Sequence, residues 1–94
     1  MIDEEFEWDE AKAASNLQKH GVSFEQARYA FSDPFALEWA DESADYGELR
    51  YRLLGMAEGR VLFVAYTMRE ERIRIISARG ALRNERKRYY DDNG

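Results

Sequence analysis

Two apolar runs in the second half of the chain have the pattern of neighbouring β-strands. Residues 61–68 are nearly all β-branched, aromatic or aliphatic, and residues 73–78 form a second such run. Both runs are typical of strands that are buried on at least one face. The charged residues 69–72 between them predict a turn, so the two runs together predict a β-hairpin.

Arginines flank the apolar centre of the second strand of this hairpin. Because side chains alternate between the two faces of a strand, one face should carry Ile73, Ile75, Ser77 and Arg79. The opposite face should carry Arg72, Arg74, Ile76 and Ala78. A sheet with this pattern presents guanidinium groups that suit an anion.

Two short helices are predicted before the main strands, following residues 6–8, whose alternating pattern fits a short half-buried strand or an extended lead-in. Asp9 is a suitable N-cap for a helix over residues 10–20, and Gly21 suits the left-handed position that follows a helix. The apolar stripe of this helix is thin and consists of Ala13, Ala14 and Leu17.

The second helix has a clear start signal in its sequence. Ser23 and Gln26 form a capping box. Residues at helical spacing give this helix one buried face, made of Phe24, Ala27 and Phe31. Asp33 and Pro34 should end the helix, because the residue before a proline disfavours the helical conformation.

The remaining segments complete an α+β domain. Residues 35–40 and 48–56 predict two further strands, and short connections between the strands predict an antiparallel meander. Gly80 should end the last strand, and residues 81–90 predict a basic helix. We therefore expect a single domain over residues 1–94, with two N-terminal helices and a C-terminal helix packed on a four-stranded antiparallel sheet.

The composition limits the cellular compartment in which the protein is expected and the kinds of chemical site it can form. The chain of 94 residues is 45% hydrophobic and has no cysteine, which excludes disulfides, thiol nucleophiles and thiolate metal sites. No segment approaches the roughly 18 to 20 apolar residues of a membrane-spanning helix, and the acidic N-terminus is unlike a signal peptide. We expect a cytoplasmic protein that does not bind membranes.

Charge is distributed unevenly along the chain, whose net charge is −5. Residues 1–48 include 13 acidic and 3 basic residues, and residues 49–94 include 6 acidic and 11 basic residues. A solvated acidic protein shows such an imbalance by chance now and then. The alternative is a basic face for phosphate groups on an otherwise acidic molecule.

Familiar catalytic motifs are missing from the sequence. It has no glycine-rich phosphate-binding motif, no HExxH zinc motif and no GxSxG nucleophile elbow. Carboxylates suitable as oxygen ligands for Mg²⁺ or Ca²⁺ occur at Asp41, Glu42, Asp45 and Glu48, but their spacing is not that of a calcium-binding loop. A solvated polar loop is the preferred interpretation, and we expect neither a metal ion nor a cofactor.

Arginines are the best candidates for binding chemistry, because a guanidinium group binds phosphate bidentately and stays charged. The predicted strands place Arg60, Arg69 and Arg79 at their ends, and the last helix carries Arg86 one turn before Tyr89. Surface ion pairs with the 19 acidic residues are the alternative for each arginine.

Histidine and the aromatic residues are more ambiguous. His20 lies at the predicted C-terminus of the first helix, where the helix dipole favours it without any catalytic role. Phe63 and Tyr66 are expected to pack in the core, because aromatic residues in the middle of strands usually do so. Trp39 and Tyr46 lie near loops and are the better candidates for exposure.

Several segments, in their order along the chain, resemble the BrnT family of type II toxins. The segments are FEWDEAKAASNLQKHGVSFEQA, FSDP, GELR, GRVLFVAYTMRE, RIRIISAR and NERKRYY. The most specific parts of this resemblance are residues 16–25 and 74–79. The resemblance implies a RelE-like ribonuclease fold, in which helices pack on an antiparallel sheet whose exposed face receives RNA.

The resemblance also implies an activity and partners. Such toxins cleave RNA without a metal ion, by attack of the RNA 2′-hydroxyl on the neighbouring phosphodiester, and so arrest translation. A small BrnA-type antitoxin with a ribbon-helix-helix DNA-binding end neutralises the toxin. DNA is then contacted only through the antitoxin, in a complex that represses its own operon and is compatible with a homodimer of the toxin.

By the same resemblance, the candidate catalytic residues are basic or phenolic side chains. Arg69 and Arg79 are candidates for stabilising the transition state. Arg86 and Tyr89 are candidates for positioning or acid–base work, and His20 is a further acid–base candidate. The candidate RNA-binding residues are Arg60, Arg74 and Arg83.

Two positions depart from the family pattern. Gly80 stands where a second basic residue usually follows Arg79, and Leu82 stands where a serine or threonine would cap the last helix. The missing cap costs about 1 kcal/mol of helix stability. The alternative function is therefore a catalytically weakened, BrnT-like binding module that retains antitoxin binding only.

Overall fold

The computed structural model describes residues 1–42 and 47–93, which form three helices and one five-stranded sheet. In chain order the elements are β1 (Phe6–Glu7), α1 (Glu10–His20), α2 (Phe24–Ala30), β2 (Leu37–Asp41), β3 (Arg50–Ala57), β4 (Arg60–Arg69), β5 (Arg72–Gly80) and α3 (Arg83–Asn93). The predicted α+β class and the presence of three helices are confirmed.

The sheet differs from the predicted four-stranded antiparallel meander. Its strand order is β1-β5-β4-β3-β2, and β1 pairs with β5 in parallel, so the sheet is mixed and has five strands. The expectation of four strands is wrong because β1 is only two residues long. Its partner lies more than 60 residues further along the chain, with Phe6 aligned to Ile73, and no local pattern indicates such a pairing.

Local hydrogen bonds begin and end the first two helices as predicted. The Asp9 side chain accepts the amide of Lys12, and Gly21 has a left-handed φ of 67° after the last turn of α1. The Ser23 side chain accepts the amide of Gln26 at the start of α2. These caps are complete within a few residues, which is why the sequence alone predicts them.

The core has two parts, one on each side of the sheet. The first cluster lies under α1 and α2 and includes Phe24, Ala27, Leu53, Leu62, Val64, Tyr66 and Ile75. The second cluster lies under α3 and consists of Leu54, Val61, Ala81 and Tyr89. The sheet is therefore packed on both faces, but α3 packs mainly against β3 and β4 and covers only one end of its face.

The inward face of α1 differs from the predicted apolar stripe. Leu17 is 50% exposed, and the buried residue of this helix is Asn16. The Asn16 amide donates to the carbonyls of Val22 and Ala78, and its oxygen accepts the amide of Ala78. A polar side chain is buried here because α1 lies along the outer edge of β5, where backbone groups need partners.

The predicted alternation along the last strand is interrupted. A register shift between Ala65 and Tyr66 marks a β-bulge in the pairing of β4 with β5. As a result Ile75 and Ala78 both pack in the first cluster, although strict alternation would place them on opposite faces. The predicted division of this strand into two faces is therefore wrong on the N-terminal side of the bulge.

The end of β5 also differs from the prediction. Gly80 pairs with Leu62 as part of the strand, and the amide of Ala81 donates to the carbonyl of Val61. Sheet pairing therefore continues past the glycine, and α3 begins at Arg83 rather than at residue 81. Within the described residues, no helix is both long and apolar enough to cross a membrane.

Candidate functional site

One face of the sheet is left largely open by the helices. α1 and α2 lie on the opposite face, and α3 covers only the end near the turn between β3 and β4. Beyond α3, the strand register aligns a row of Trp39, Arg52, Ala65 and Ser77. The following row consists of Asp41, Arg50, Thr67 and Arg74. Thr67 of β4 therefore lies between Arg50 and Arg74, and Ala65 lies between Arg52 and Ser77.

Three arginines and two aromatic rings meet on this open face, next to α3. The guanidinium carbon of Arg79 lies 4.4 Å from the ring centroid of Phe63, and that of Arg52 lies 6.0 Å from the same centroid. Arg88 of α3 lies 4.4 Å from the ring centroid of Trp39. The two rings are 6.1 Å apart, edge to face. These five residues are called the guanidinium–aromatic cluster below.

Carboxylates pair with two of the clustered arginines. Arg79 donates from both terminal nitrogens to Glu85, at 2.8 and 3.0 Å. Arg52 forms an ion pair with Asp41 at 2.6 Å. The bidentate pair of Arg79 with Glu85 fixes the orientation of that guanidinium group, and both ion pairs offset part of the arginine charge.

Glu85 connects the cluster to the start of α3. Its carboxylate accepts the backbone amide of Leu82 at 2.7 Å in addition to the two hydrogen bonds from Arg79, as the glutamate of a capping box does. Burial opposes ionisation of this carboxyl, but the hydrogen bonds from Arg79 and Leu82 outweigh it and lower the pKa of Glu85. The carboxylate is therefore charged at neutral pH.

Arg79 retains capacity to bind an anion despite this partner. A guanidinium group has five N–H donors. Within the described part of the chain, two of them bind Glu85 and one binds the carbonyl of Gly80, which leaves two for a ligand. Two N–H donors on one rigid plane are what bidentate recognition of a phosphate requires.

The other arginines predicted from strand ends do not join the cluster. Arg69 lies at the far end of β4, is half exposed and is 3.6 Å from Glu48. Arg74 lies further along the open face and pairs with Glu7 at 2.8 Å. These side chains extend the basic surface, but they are separate from the guanidinium–aromatic cluster.

Arg60 occupies the space beside Gly80. A Cβ atom built on Gly80 would lie 2.1 Å from the Nη2 atom of Arg60, so this guanidinium group fills the volume that a side chain at residue 80 would take. Gly80, the residue after Arg79, has no side chain, and the guanidinium group of Arg60 from the neighbouring strand occupies that space.

The predicted residues of α3 are divided between its surface and its core-facing side. Arg83 and Arg86 are exposed, and Arg86 donates to the carbonyl of Ala81 at 2.7 Å. Tyr89 is only 4% exposed and donates its hydroxyl to Asp33 at 2.5 Å. Burial and this hydrogen bond raise the pKa of Tyr89 to about 12, so the hydroxyl is neutral and already engaged at physiological pH.

His20 lies apart from these groups. It is exposed in the last turn of α1, next to Lys19, and it lines a cleft at the outer edge of β5 together with Ser77. The dipole of α1 favours a basic side chain at this position. His20 therefore approaches the open face only at its edge.

Carboxylates do not form a metal site in the described residues. No group of three or more histidine, cysteine, aspartate or glutamate side chains is arranged to hold a metal ion within residues 1–42 and 47–93. Asp41 pairs with Arg52 and Glu48 with Arg69. Asp45 of the proposed ligand set lies outside the described residues, as does Tyr46.

Sequence reasoning missed three members of the cluster: Trp39, Arg52 and Arg88. A signal for Arg52 was present, because Arg50 and Arg52 alternate with apolar residues in the third strand. Trp39 was predicted only to be exposed, and its contact with Arg88 had no signal in the sequence, since it joins β2 to α3 across the second cluster. Phe63 was expected in the core, and it is half-buried with one ring surface under Arg79.

Comparison with known proteins gives one clear result. A family model described as "Ribonuclease toxin, BrnT, of type II toxin-antitoxin system" matches residues 8–85, which include every strand of the sheet except β1. Of the guanidinium–aromatic cluster, only Arg88 lies outside the matched range. No curated protein matches the chain.

Proposed function

Because the chain belongs to the BrnT family of ribonuclease toxins of type II toxin-antitoxin systems, we propose that it cleaves single-stranded RNA on the open face of its sheet, at the guanidinium–aromatic cluster. The observation that carries this proposal is the placement of Arg79 over Phe63 with two N–H donors left for a ligand. Membership of the family also implies an antitoxin as partner.

Arginine and aromatic side chains together suit single-stranded RNA. A basic surface follows the phosphate backbone, and each aromatic ring offers a base a stacking surface worth roughly 1–3 kcal/mol. In this proposal Arg79 binds the scissile phosphate, while Arg52 and Arg88 bind the neighbouring phosphates. Trp39, next to Arg88, provides the ring on which a base stacks once the arginine moves to a phosphate.

The proposed reaction needs no metal ion. The 2′-hydroxyl oxygen attacks the adjacent phosphorus and loses its proton to a base or to water, and the 5′-oxygen of the next nucleotide leaves with a proton. The products are a 2′,3′-cyclic phosphate and a 5′-hydroxyl. Arg79 stabilises the extra negative charge on the phosphorane oxygens, which is the contribution that a fixed cationic donor makes best.

The other predicted residues take supporting roles in this proposal. Arg69, Arg74 and Arg83 extend the electrostatic surface for the RNA chain. Arg60 lies over Gly80, on the face of the sheet opposite to the Arg79 side chain, and adds only long-range positive charge for RNA binding. Arg86 and Tyr89 position α3, since they bind Ala81 and Asp33 respectively, and His20 contacts RNA beyond the edge of β5.

We also propose the identity of the partner. An antitoxin with a ribbon-helix-helix DNA-binding end would silence the toxin in the cytoplasm, and DNA would be bound only through that antitoxin. The acidic first half of the chain, with 13 acidic and 3 basic residues over residues 1–48, would attract basic segments of such a partner. A homodimer of the toxin within the complex is part of the same proposal.

A binding module without catalysis is the second candidate. It is favoured by the ion pairs of Arg79 with Glu85 and of Arg52 with Asp41, which offset charge at the proposed site. In that case the protein would bind its antitoxin tightly and leave RNA intact. The donors that remain on Arg79 favour the ribonuclease.

The test is RNA cleavage in the presence of EDTA by the wild-type protein and two arginine variants. Arg79→Ala should lower the cleavage rate by about 10²- to 10³-fold, as removal of a transition-state donor does. Arg28→Ala is the matched control, because Arg28 also pairs with a carboxylate and lies 5.0 Å from a phenylalanine ring, but on the opposite side of the sheet.

The outcomes separate the two candidates. Cleavage by the wild type and by Arg28→Ala, but not by Arg79→Ala, supports the ribonuclease. Equal cleavage by Arg79→Ala and the wild type would show that the cluster is not the site. An intact RNA with the wild-type protein, together with tight antitoxin binding, would favour the binding module.

A further inference from the structure

A second basic site lies at the outer edge of β5, on the far side of this strand from the guanidinium–aromatic cluster. It is a cleft of about 220 Å³ between α1 and β5. The residues that line it are Lys12, Ser15, Asn16, Lys19, His20, Ile76 and Ser77. These residues are called the α1 cleft below. Lys12, Ser15 and Lys19 recur at helical spacing, so they share one side of α1.

The charges of the α1 cleft are less compensated than those of the sheet face. Among the described residues that line it, none is acidic, whereas three are basic: Lys12, Lys19 and His20. On the sheet face, by contrast, both Arg52 and Arg79 have a carboxylate within 3 Å. An anion in the cleft therefore meets no carboxylate among the lining residues.

Asn16 fixes the geometry of this cleft without competing for a ligand. Its amide nitrogen donates to Val22 and Ala78, and its oxygen accepts from Ala78. These bonds hold α1 against β5, so Lys12 and Lys19 are carried on a fixed helix. The hydroxyls of Ser15 and Ser77 add neutral donors to the ammonium groups.

Ser77 joins the α1 cleft to the open face. The register aligns Ser77 with Ala65 and Arg79 with Phe63 without interruption, so both side chains of β5 are on the open face. Two residues along a strand span about 7 Å. The β-bulge next to Ser77 brings Ile76 to the strand edge, where both residues line the cleft.

We propose that the α1 cleft is a second phosphate-binding subsite, which holds the RNA backbone beyond the nucleotide bound at Arg79. The strand would cross β5 at Ser77 and place a phosphate group between Lys12 and Lys19. This inference rests on the proposed ribonuclease function for the identity of the ligand. The subsite strengthens binding of long strands and contributes nothing to dinucleotides that span only the guanidinium–aromatic cluster.

The test measures binding separately from cleavage. A fluorescent single-stranded 2′-O-methyl RNA has no 2′-hydroxyl to attack its own backbone, so its affinity is measurable by anisotropy over a range of salt concentrations. The variant Lys12→Gln/Lys19→Gln removes two charges from the cleft. Lys12→Arg/Lys19→Arg retains them, and Lys87→Gln removes an exposed charge of α3 that pairs with Asp91.

The expected result follows from counterion release. Each lost phosphate contact should reduce the slope of log K against log salt by about 0.7, which corresponds to roughly fivefold in affinity at 0.1 M salt relative to 1 M. The double glutamine variant loses the one phosphate held between Lys12 and Lys19, so it should bind the long strand about fivefold more weakly at 0.1 M salt. The arginine variant and Lys87→Gln should resemble the wild type, and dinucleotide cleavage should be unchanged in all of them.

Other outcomes would overturn the subsite. An unchanged salt slope in the double glutamine variant would exclude phosphate contacts by these lysines, even if the wild type cleaves RNA. Weaker antitoxin binding with unchanged RNA binding would assign the cleft to the protein partner instead. A changed slope in a protein that cleaves no RNA would support the subsite and contradict the proposed ribonuclease, so the two failures are distinguishable.

Discussion

At the scale of single residues, the surroundings of a side chain decide its role more than its type does. Asn16 is a polar residue buried in a helix of an 11.1 kDa protein, and it is tolerated because all of its hydrogen bonds go to backbone groups that would otherwise be unpaired. Gly55 and Gly80 are both in strands, and they differ in what lies above them. A Cβ on Gly55 would lie 2.5 Å from the backbone oxygen of Ala30, whereas one on Gly80 would meet the end of the Arg60 side chain.

This difference predicts that substitution by alanine destabilises the protein much more at Gly55 than at Gly80. Gly55→Ala should destabilise the protein by about 3 kcal/mol, because the backbone of α2 cannot move away from β3 without disturbing the first cluster. Gly80→Ala should change the free energy of unfolding by less than about 1 kcal/mol, since the guanidinium group of Arg60 can rotate away. Urea denaturation of both variants measures this, and equal losses would contradict the account.

At the scale of elements, α3 depends on Glu85 for its start. The residue before the first turn, Leu82, has no side-chain acceptor for the free amides, and it is 56% exposed. Glu85 supplies the other half of a capping box by accepting the Leu82 amide, and it binds Arg79 with the same carboxylate. The helix start and the orientation of Arg79 are therefore coupled through one side chain.

The incomplete cap predicts a stabilising substitution. Leu82→Ser should raise the free energy of unfolding by about 1 kcal/mol, because the serine hydroxyl accepts an amide at the start of α3 and little apolar burial is lost. Leu17→Ser is the control, since Leu17 is equally exposed but lies inside α1, and it should give no gain. Thermal and urea unfolding measure both, and a loss of stability in Leu82→Ser would show that this leucine packs in a way that its exposure does not indicate.

At the scale of the whole molecule, Asp33 ties together three parts of the chain. Its carboxylate accepts the amide of Phe35 in the connection to β2, the amide of Met56 in β3 and the hydroxyl of Tyr89 in α3. Burial opposes ionisation, but these three hydrogen bonds outweigh it and lower the pKa of Asp33 below its ordinary 3.8. The charged form is therefore the form that the fold favours.

This lowered pKa predicts a loss of stability in acid. Because the pKa of the folded state is below that of the unfolded state, the contribution of Asp33 is complete above about pH 5 and disappears as the pH falls through 3.8 and below. Asp33→Asn should lower the free energy of unfolding at pH 7 and make its decline in acid less steep. Urea unfolding between about pH 3 and pH 7 measures this, with the exposed Asp92→Asn as control.

If both variants kept the wild-type dependence of unfolding free energy on pH, Asp33 would not be the central acceptor.

In alkali, the raised pKa of Tyr89 has the opposite effect, because stability is lost as the pH rises rather than as it falls. Its contribution is complete below its ordinary pKa of 10.0 and is lost as the pH rises through about 12.

Several features of this protein are determined by sequence over short distances. The limits of α1, the start of α2 and the hairpin of β4 and β5 follow from Asp9, Gly21, Ser23 and an apolar run on each side of a charged turn. Each of these signals is complete within a few residues, so no tertiary contact is needed to specify it. The supply of arginines in the second half of the chain is likewise a property of sequence alone.

Only the tertiary structure decided which of these arginines lie close together. The parallel pairing of β1, the bulge beside Ser77 and the contact of Arg88 with Trp39 each join residues that are distant in sequence. Strand register places the guanidinium groups of Arg52 and Arg79 near the same aromatic ring, that of Phe63, and the docking of α3 brings Glu85 to Arg79. Side-chain periodicity cannot indicate such neighbours, because it describes the faces of one element and not the alignment of two.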